Sequence, residues 1–449
     1  MRTLASIPQA PGGLPLLGHL LAIARDPMGF VTALPTRGDL VWVRLGRHPV
    51  LMVCDPELTR QVLVDDRTFD KGGPLFELGR KHLGDGLPTC PYRQHRRQRR
   101  LCQPAFHLNR FPAYTAAMAS AAEAAARSWQ EGQVLDVAHE MSALTLRIAV
   151  QTMFSVTLPP RTITTIVDDL GTVLNGTFLQ MVRPALLNRL PTRANRAYHR
   201  ALHRLRSTVD EVIADRRAIS ADHGDLLSAL LTAHDPESGT ASTMTARELG
   251  DQVLAFFIAG GETTANALTW ALYQLATHPE IQDRLHAEAS AADGPAALDR
   301  LPALDLTAAV ITETLRLHTS AWLITRITTT QTTLGDVHLP VGTSVAYSPR
   351  LLHYRPDLYQ DPESFDPDRW LDTRPDRIAY LPFGGGPRKC IGERFAQSEA
   401  ALALAAIITH WTVEPVTHPP ATLALQDVLV PPGLLMRVCA RRPAAIRTA

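Results

Sequence analysis

From Thr245 to His278 the chain carries one unbroken helical pattern, and no other stretch limits the possible folds as strongly. Thr245-Ala246-Arg247-Glu248 is a capping box, and Pro279 stops the run. At ~1.5 Å per residue the helix is close to ~50 Å long, enough to cross a whole domain. Its middle is almost wholly apolar, over residues 253–259 and again over 265–275. Glu262 and Asn266 interrupt that apolar surface at its centre. An unpaired carboxylate is costly in lipid, so the pattern predicts a buried central helix rather than a membrane span.

In the same helix lies Ala259-Gly260-Gly261-Glu262-Thr263-Thr264. Each internal glycine costs ~1 kcal/mol relative to alanine, so something must offset the pair. One reason is room for a ligand against the helix. Another is a local opening of the hydrogen-bond ladder, which Thr263 fills by bonding the Ala259 carbonyl. A second signature lies further on. Phe383-Gly384-Gly385-Gly386-Pro387-Arg388-Lys389-Cys390-Ile391-Gly392 sets one cysteine in a glycine-rich loop, beside two cations and ahead of a helix that opens near Glu393. The glycines let backbone approach a bulky flat ligand. Arg388, Lys389 and the helix N-terminus each favour a thiolate over a thiol. Such a thiolate is an axial ligand for haem iron that promotes O–O cleavage. The plain alternative is a lone cysteine in a surface loop.

The spacing F-x-x-G-x-R-x-C-x-G resembles the haem-binding loop of the cytochrome P450 family. Residues 259–264 resemble that family's oxygen-binding segment. The likeness runs from Pro15-Leu16-Leu17-Gly18-His19 to the C-terminal strands. It implies a mainly α fold with small β-sheets, a triangular prism with the long central helix across the haem, in one domain over 1–449. It implies haem b held through the Cys390 thiolate, with Phe383 and Gly392 in the cofactor loop. Thr263 is implied to hydrogen-bond dioxygen or a nearby water, and Glu262 to relay protons. Glu313 and Arg316, three apart on one helix face, are alone a common surface pair. With Phe365-Asp366-Pro367-Asp368-Arg369-Trp370 they resemble the family's E-x-x-R and second-arginine lock. Glu313, Arg316 and Arg369 then form a buried network beneath the haem loop. His95 and Arg99, at i and i+4, resemble the family's propionate partners, together with Arg326 and Arg388. Arg93, Arg96, Arg97 and Arg100 point elsewhere on that helix. They lack the aromatic interleaving of a nucleic-acid surface and suit an acidic ferredoxin.

The 449 residues are 45% hydrophobic, which allows a large core. A formal net charge of +1 indicates no general affinity for nucleic acid. Only Lys71, Lys81 and Lys389 are lysines. The other cysteines, Cys54, Cys90, Cys102 and Cys439, form no C-x-x-C pair and show no zinc spacing. That usage fits a reducing cytoplasm. The Pro-rich N-terminal segment (1–15) and the short apolar run after it lack the length and basic flank of an anchor. Residues 40–45 and 50–54, divided by Gly46-Arg47-His48-Pro49, read as a hairpin, with further strands at 322–328, 343–347, 425–430 and 434–439. Helical patterns occupy 114–130, 137–154, 161–181, 193–217 and 226–233. No reductase module is fused, so electrons come from NAD(P)H through a ferredoxin reductase and a ferredoxin.

Several segments resemble soluble bacterial, sesquiterpene-oxidising members of the family, among them Asp251-Gln252-Val253 and Trp322-Leu323-Ile324-Thr325-Arg326. The family's substrate regions fall on the loop at 72–89 (with Leu75 and Phe76), on Phe178, Leu179 and Met181, on Phe256 and Ala259, on Trp322, Leu323 and Ile324, and on Leu429 and Val430. These are apolar, as a pocket for a hydrocarbon-like ligand requires; plain core packing is the competing reading. After Arg316-Leu317, relatives carry prolines where this chain has His318-Thr319-Ser320-Ala321. The expectation is a cytoplasmic, monomeric haem-thiolate monooxygenase acting on a terpenoid, a cyclic sesquiterpene first. Its rivals are the same chemistry on a macrolide, polyketide or fatty acid, and a haem sensor without turnover.

Overall fold

Helices carry most of the chain, as its alanine-rich amphipathic stretches predict. The computed structural model describes residues 3–182, 185–219, 222–233, 243–292, 297–417 and 433–441. The helices that build the site are α1 (Pro56–Val64), α2 (Pro74–Leu83), α3 (Tyr92–Cys102), α4 (Phe111–Ser128), α5 (Val137–Phe154), α6 (Pro160–Val182), α7 (Arg193–Ile219), α8 (Ala246–Thr277), α9 (Asp305–Leu317) and α10 (Glu393–His410). The strands are β1 (Leu40–Leu45), β2 (His48–Val53), β3 (Phe69–Asp70), β4 (Val134–Asp136), β5 (Ile324–Thr328), β6 (Thr332–Leu334), β7 (Val337–Leu339), β8 (Ser344–Tyr347), β9 (Trp411–Pro415) and β10 (Leu435–Ala440).

The long helix is α8, and its capping box is complete. Thr245 Oγ1 accepts the Glu248 N–H at 3.2 Å, and Glu248 Oε2 accepts the Thr245 N–H at 2.8 Å. The helix packs most extensively against α5 and also touches α7, α9 and α10. Val253, Leu254, Phe257, Leu268 and Leu272 lie in one continuous helical core with Leu146, Val150 and Phe154 of α5. Each fully buried side chain of this kind contributes about 1.5–3 kcal/mol. Asn266 is buried, and its Nδ2 donates to Ser320 Oγ at 3.0 Å. Protein, not lipid, therefore satisfies the polar centre of α8. No helix of the described residues is long and apolar enough to cross a membrane.

A second core lies under a five-stranded sheet of order β1-β2-β8-β5-β3. Strands β4, β10 and β9 form another sheet, and β6 pairs β7. The hairpin is tighter than the sequence suggests. Leu45 pairs with His48, so only Gly46 and Arg47 turn, with Gly46 at φ +64°. Pro49 enters the ladder opposite Arg44, ahead of Leu51 where β2 begins to pair β8, so its missing N–H is harmless. Residues 72–89 are not simply a loop, since α2 fills most of them. β5 starts at Ile324, two residues later than expected, and the short strands β3 and β4 carry too few residues for an alternating pattern. The expected strand at 425–430 lies outside the described residues.

Candidate active site

The cysteine loop is folded by its own backbone. The Cys390 N–H donates to the Phe383 carbonyl at 2.9 Å, and the Lys389 N–H to the Gly386 carbonyl at 3.1 Å. Gly386 has φ +64°, and a Cβ there would collide with the Leu63 carbonyl of α1. The glycine is thus required by a close approach as well as by its backbone angle. A Cβ at Gly392 would sit 3.9 Å from Cys390 Sγ and 3.7 Å from Phe106. Phe106 in turn packs on Phe256 of α8, ring centroids 5.7 Å apart. One ring therefore joins the cysteine loop to the central helix.

The two flanking cations do not act as their position suggests. Lys389 pairs with Glu393 at 2.5 Å. Arg388, buried, donates from Nε to Asp66 at 2.7 Å, from Nη2 to Asp70 at 2.9 Å and from Nη1 to the Cys90 carbonyl at 2.9 Å. Its carboxylate partners neutralise it, so it ties the loop to residues 66–90 rather than biasing the sulfur. Two of its five guanidinium N–H groups remain for an anionic ligand. Burial pushes the Cys390 thiol up; the Gly392 N–H pulls it down, Glu393 pushes it up, and Arg99 and Lys71 pull it down. The side chain is exposed, yet enclosed by enough protein for burial to dominate its acidity. A metal bound there would supply the charge that stabilises a thiolate.

Around this loop the fold gathers cations that are distant in sequence. His95 is buried on α3, and its Nδ1 has no hydrogen-bond partner; the nearest carboxylate oxygen, of Asp66, is 3.9 Å away. Burial, then Arg388, Lys71, Arg99 and Arg326, depress its pKa to about 3. Arg99 Nη1 donates to the Lys389 carbonyl at 2.7 Å. Arg326 is 3% exposed; it meets the Thr325 carbonyl at 2.9 Å, the Tyr347 hydroxyl at 3.5 Å and the face of the Tyr347 ring at 5.7 Å. No carboxylate among the described residues pairs with it. Lys71 Nζ donates to the Pro88 carbonyl at 2.6 Å, and burial followed by Arg326 and Arg388 brings its pKa down to about 7. Of the four cations Lys71, Arg99, Arg326 and Arg388, Arg388 takes both nearby carboxylates, Asp66 and Asp70, and the others donate to carbonyls or a hydroxyl. This positive excess, with an unpartnered imidazole, fits a flat cofactor bearing two propionates. Lys71 escaped the sequence reading; its rarity as one of three lysines was the available signal.

On α8, Thr263 Oγ1 donates to the Ala259 carbonyl at 2.9 Å, as the spacing predicts. Thr263 is exposed although Gly261 and Thr264 beside it are buried. Burial raises the Glu262 carboxyl above its ordinary value. The glycine pair serves helix packing. A Cβ at Gly260 would lie 2.9 Å from Ala149 Cβ, and one at Gly261 3.4 Å from Leu146. Thr145 Oγ1 of α5 donates to the Gly261 carbonyl at 2.8 Å. Room for α5, not for a ligand, explains these two glycines, and α8 stays helical through them.

Glu313 and Arg316, both 0% exposed, meet at 2.8 Å through two parallel bonds. Arg369 Nε and Trp370 Nε1 add bonds of 3.1 and 2.8 Å to the same carboxylate. His353 continues the network. Its Nε2 accepts the Leu381 N–H at 3.0 Å, so Nδ1–H donates to the Arg316 carbonyl at 2.9 Å. The lock is thereby connected to the chain two residues before Phe383.

The expected pocket residues separate. Ala259 is half-buried, and Phe256 is buried against Phe106. Phe76 is half-buried, its ring 5.9 Å from Lys71 Nζ. Leu179 is exposed. Trp322 turns away into the sheet-side core, with Leu323 and Ile324 packed beside it. Its carbonyl accepts from Ser348 at 2.5 Å, which holds the backbone there. The side chains of Leu75, Phe178 and Met181, and all of Leu429 and Val430, lie outside what the structure describes. The departure at 318–321 is anchored to α8. His318 stacks on Trp270 at 3.8 Å, and Ser320 Oγ donates to the Thr263 carbonyl at 3.3 Å.

Residues 8–437 match the cytochrome P450 family. The chain is 45% identical to cyclooctat-9-en-7-ol 5-monooxygenase of Streptomyces melanosporofaciens, over 91% of this chain and 89% of that protein. It is 46% identical to cyclooctatin synthase of the same organism, over 91% and 90%. It is 42% identical to pentalenene oxygenase of Streptomyces avermitilis, over 97% of each chain. A glycine-bound cysteine loop, a buried E-x-x-R lock and a threonine bonded back to Ala259 in the central helix agree with that likeness, and the chain belongs to the cytochrome P450 family of haem-thiolate monooxygenases.

Proposed function

We propose that this protein hydroxylates a cyclic terpenoid, with a sesquiterpene as the first candidate. Electrons reach it from NAD(P)H through a ferredoxin reductase and a ferredoxin. The supporting observation is the ring pair Phe106 and Phe256, which packs the cysteine loop at Gly392 against the helix that carries Thr263. Relatives named for pentalenene and for cyclooctat-9-en-7-ol act, by those names, on cyclic compounds with few oxygens. Apolar walls at Phe106, Phe256 and Ala259 suit such a ligand, which gains from burial and needs few hydrogen bonds.

A haem held through Cys390 supplies dioxygen activation and insertion of one oxygen atom into a C–H bond. The chain's own residues do the rest. His95, Lys71, Arg99 and Arg326 hold the propionates, helped by the remaining N–H groups of Arg388. The Gly392 N–H orients the Cys390 sulfur. Glu262, its carboxyl raised by burial, carries a proton toward the interior, and the Thr263 hydroxyl presents it. Phe106 and Phe256 exclude water. Beneath the cysteine loop lies a groove of about 590 Å³, lined by Gly384–Gly386, Arg374, Arg377 and Lys389. Arg374 and Arg377 are exposed there, as are Arg93 and Arg96 on α3, whereas Arg97 is paired with Glu248 at 2.9 Å. This face suits an acidic ferredoxin. We place the enzyme in the cytoplasm as a single-domain monomer.

The test is a panel of cyclic sesquiterpene hydrocarbons and their mono-alcohols. A low- to high-spin shift and a hydroxylated product with a surrogate ferredoxin pair are expected. A shift only with macrolides or fatty acids overturns the ligand class. Binding without oxidation, under conditions that reduce the iron, overturns the enzyme reading in favour of a sensor.

A further inference from the structure

Asp251 and Gln252 are polar side chains of α8, 4% and 0% exposed, that the reaction does not use. Asp251 Oδ2 accepts the backbone N–H of Asp85 at 3.2 Å. Asp251 Oδ1 accepts from Arg206 Nη1 of α7 at 3.3 Å. Gln252 Oε1 accepts the backbone N–H of Leu87 at 3.1 Å. From α3, Gln98 Nε2 donates to the Asp85 carbonyl at 2.9 Å. The segment that follows α2 is therefore stitched to the central helix by its own main chain.

The fit is close. Gly84 has φ +88°, and a Cβ there would collide with the Asp251 carboxylate. A Cβ at Gly86 would lie 2.6 Å from Ala255 Cβ and 2.8 Å from the Asp251 carbonyl. Ala255 is one helical turn from Ala259 and two from Thr263. A buried carboxylate is a costly way to hold a loop; an apolar contact would serve if rigidity were all that mattered. One carboxylate shared by the segment and by α7 ties both to a single point on α8. Loss of that carboxylate loosens both.

We propose that Asp251 and Gln252 are positioning residues. They form a clasp that sets how often residues 84–89 and α7 part from α8, and so how fast an apolar ligand enters and leaves. The inference rests on the reading that residues 72–89 cover the ligand pocket.

The test uses the haem-loaded full chain in two independent measurements. Amide hydrogen exchange is read over residues 84–88, at the amides of Gly84, Asp85, Gly86 and Leu87, and, as a control, in α5. Stopped-flow spectra follow binding and release of 4-phenylimidazole, with carbon monoxide binding to the reduced protein as a small-ligand control. Asp251→Ala is expected to speed exchange at 84–88 about tenfold, the factor one lost net hydrogen bond produces, with α5 unchanged. Both rate constants for 4-phenylimidazole rise together, its affinity changes little, and carbon monoxide binding is unaffected. Asp251→Asn keeps an acceptor for Asp85 but loses the charge facing Arg206, and gives a smaller effect; Arg206→Gln matches it. These two variants carry the test if Asp251→Ala does not fold. Unchanged exchange at 84–88 overturns the clasp. So does faster exchange in α5 as well, which marks general loosening, and so does faster exchange at 84–88 with unaltered 4-phenylimidazole rates. If the unmodified protein gives no spectral change with 4-phenylimidazole, the haem-thiolate reading fails, and exchange alone decides the clasp.

Discussion

At the scale of single residues, charge is governed by partners more than by sequence neighbours. Arg388 and Lys389 flank Cys390 but are neutralised by Asp66, Asp70 and Glu393. Arg326 and Lys71, distant in the chain, supply positive charge without carboxylates of their own among the described residues. Arg326→Ala and Lys71→Ala should each lower haem content, read as the ratio of Soret to protein absorbance, while far-ultraviolet circular dichroism is retained. A full Soret ratio in the double variant would sink the propionate assignment. His353 makes a pH prediction. Burial, its largest influence, depresses its pKa from 6.5 to about 3. Between those values the unfolded chain binds a proton that the native imidazole does not. Stability therefore rises with pH across that window and is lost as pH falls from 6.5 toward 3. One such proton gives a slope of up to about 1.4 kcal/mol per pH unit. His353→Asn should flatten the urea-unfolding stability curve there by as much as one proton; an unaltered slope would show that His353 titrates normally. The motif identities were legible in the sequence, because Cys390 and Glu313–Arg316 lie in contiguous patterns. Which cation pairs with which carboxylate was not.

At the scale of elements, the central helix and its partner explain the glycines better than any ligand does. Gly260→Val should destabilise by about 1–3 kcal/mol through overpacking, since even a methyl would meet Ala149 at 2.9 Å. Guanidinium or urea unfolding measures it; a neutral result would mean that α5 and α8 have slack. The α9 lock makes the larger prediction. Glu313 is 0% exposed and receives donors from Arg316, Arg369 and Trp370. Removing one member of a buried ion pair costs about 3–5 kcal/mol. Glu313→Ala should be insoluble or haem-free, and a soluble variant with full haem content would refute that role. Helices announced themselves through long periodicity, so α5 was legible to the residue. Strands β3 and β4 did not, because two or three residues carry no period. The role of Gly260 and Gly261 was hidden because Ala149 and Leu146 are more than a hundred residues away.

At the scale of the whole molecule, the cysteine loop packs through Phe106 on the central helix and also lines a basic groove. Reversing charge at the groove with Arg374→Glu and Arg377→Glu should slow reduction by an acidic ferredoxin. The loss should be greatest at low salt, because rim charges act on the encounter rate. Stopped-flow reduction across ionic strength measures this; equal rates at all salt concentrations would place the docking face elsewhere. By itself the sequence determined the helical class, the span of α8, the cysteine loop and the E-x-x-R pair, since each is written in residues close enough to show a period or a spacing. Only the tertiary structure decided that Arg388 meets Asp66 and Asp70, that Trp322 turns into the sheet-side core, and that Asp85 hangs from Asp251. Those contacts join distant parts of one chain, and a one-dimensional pattern holds no record of which buried groups will find each other once water is excluded.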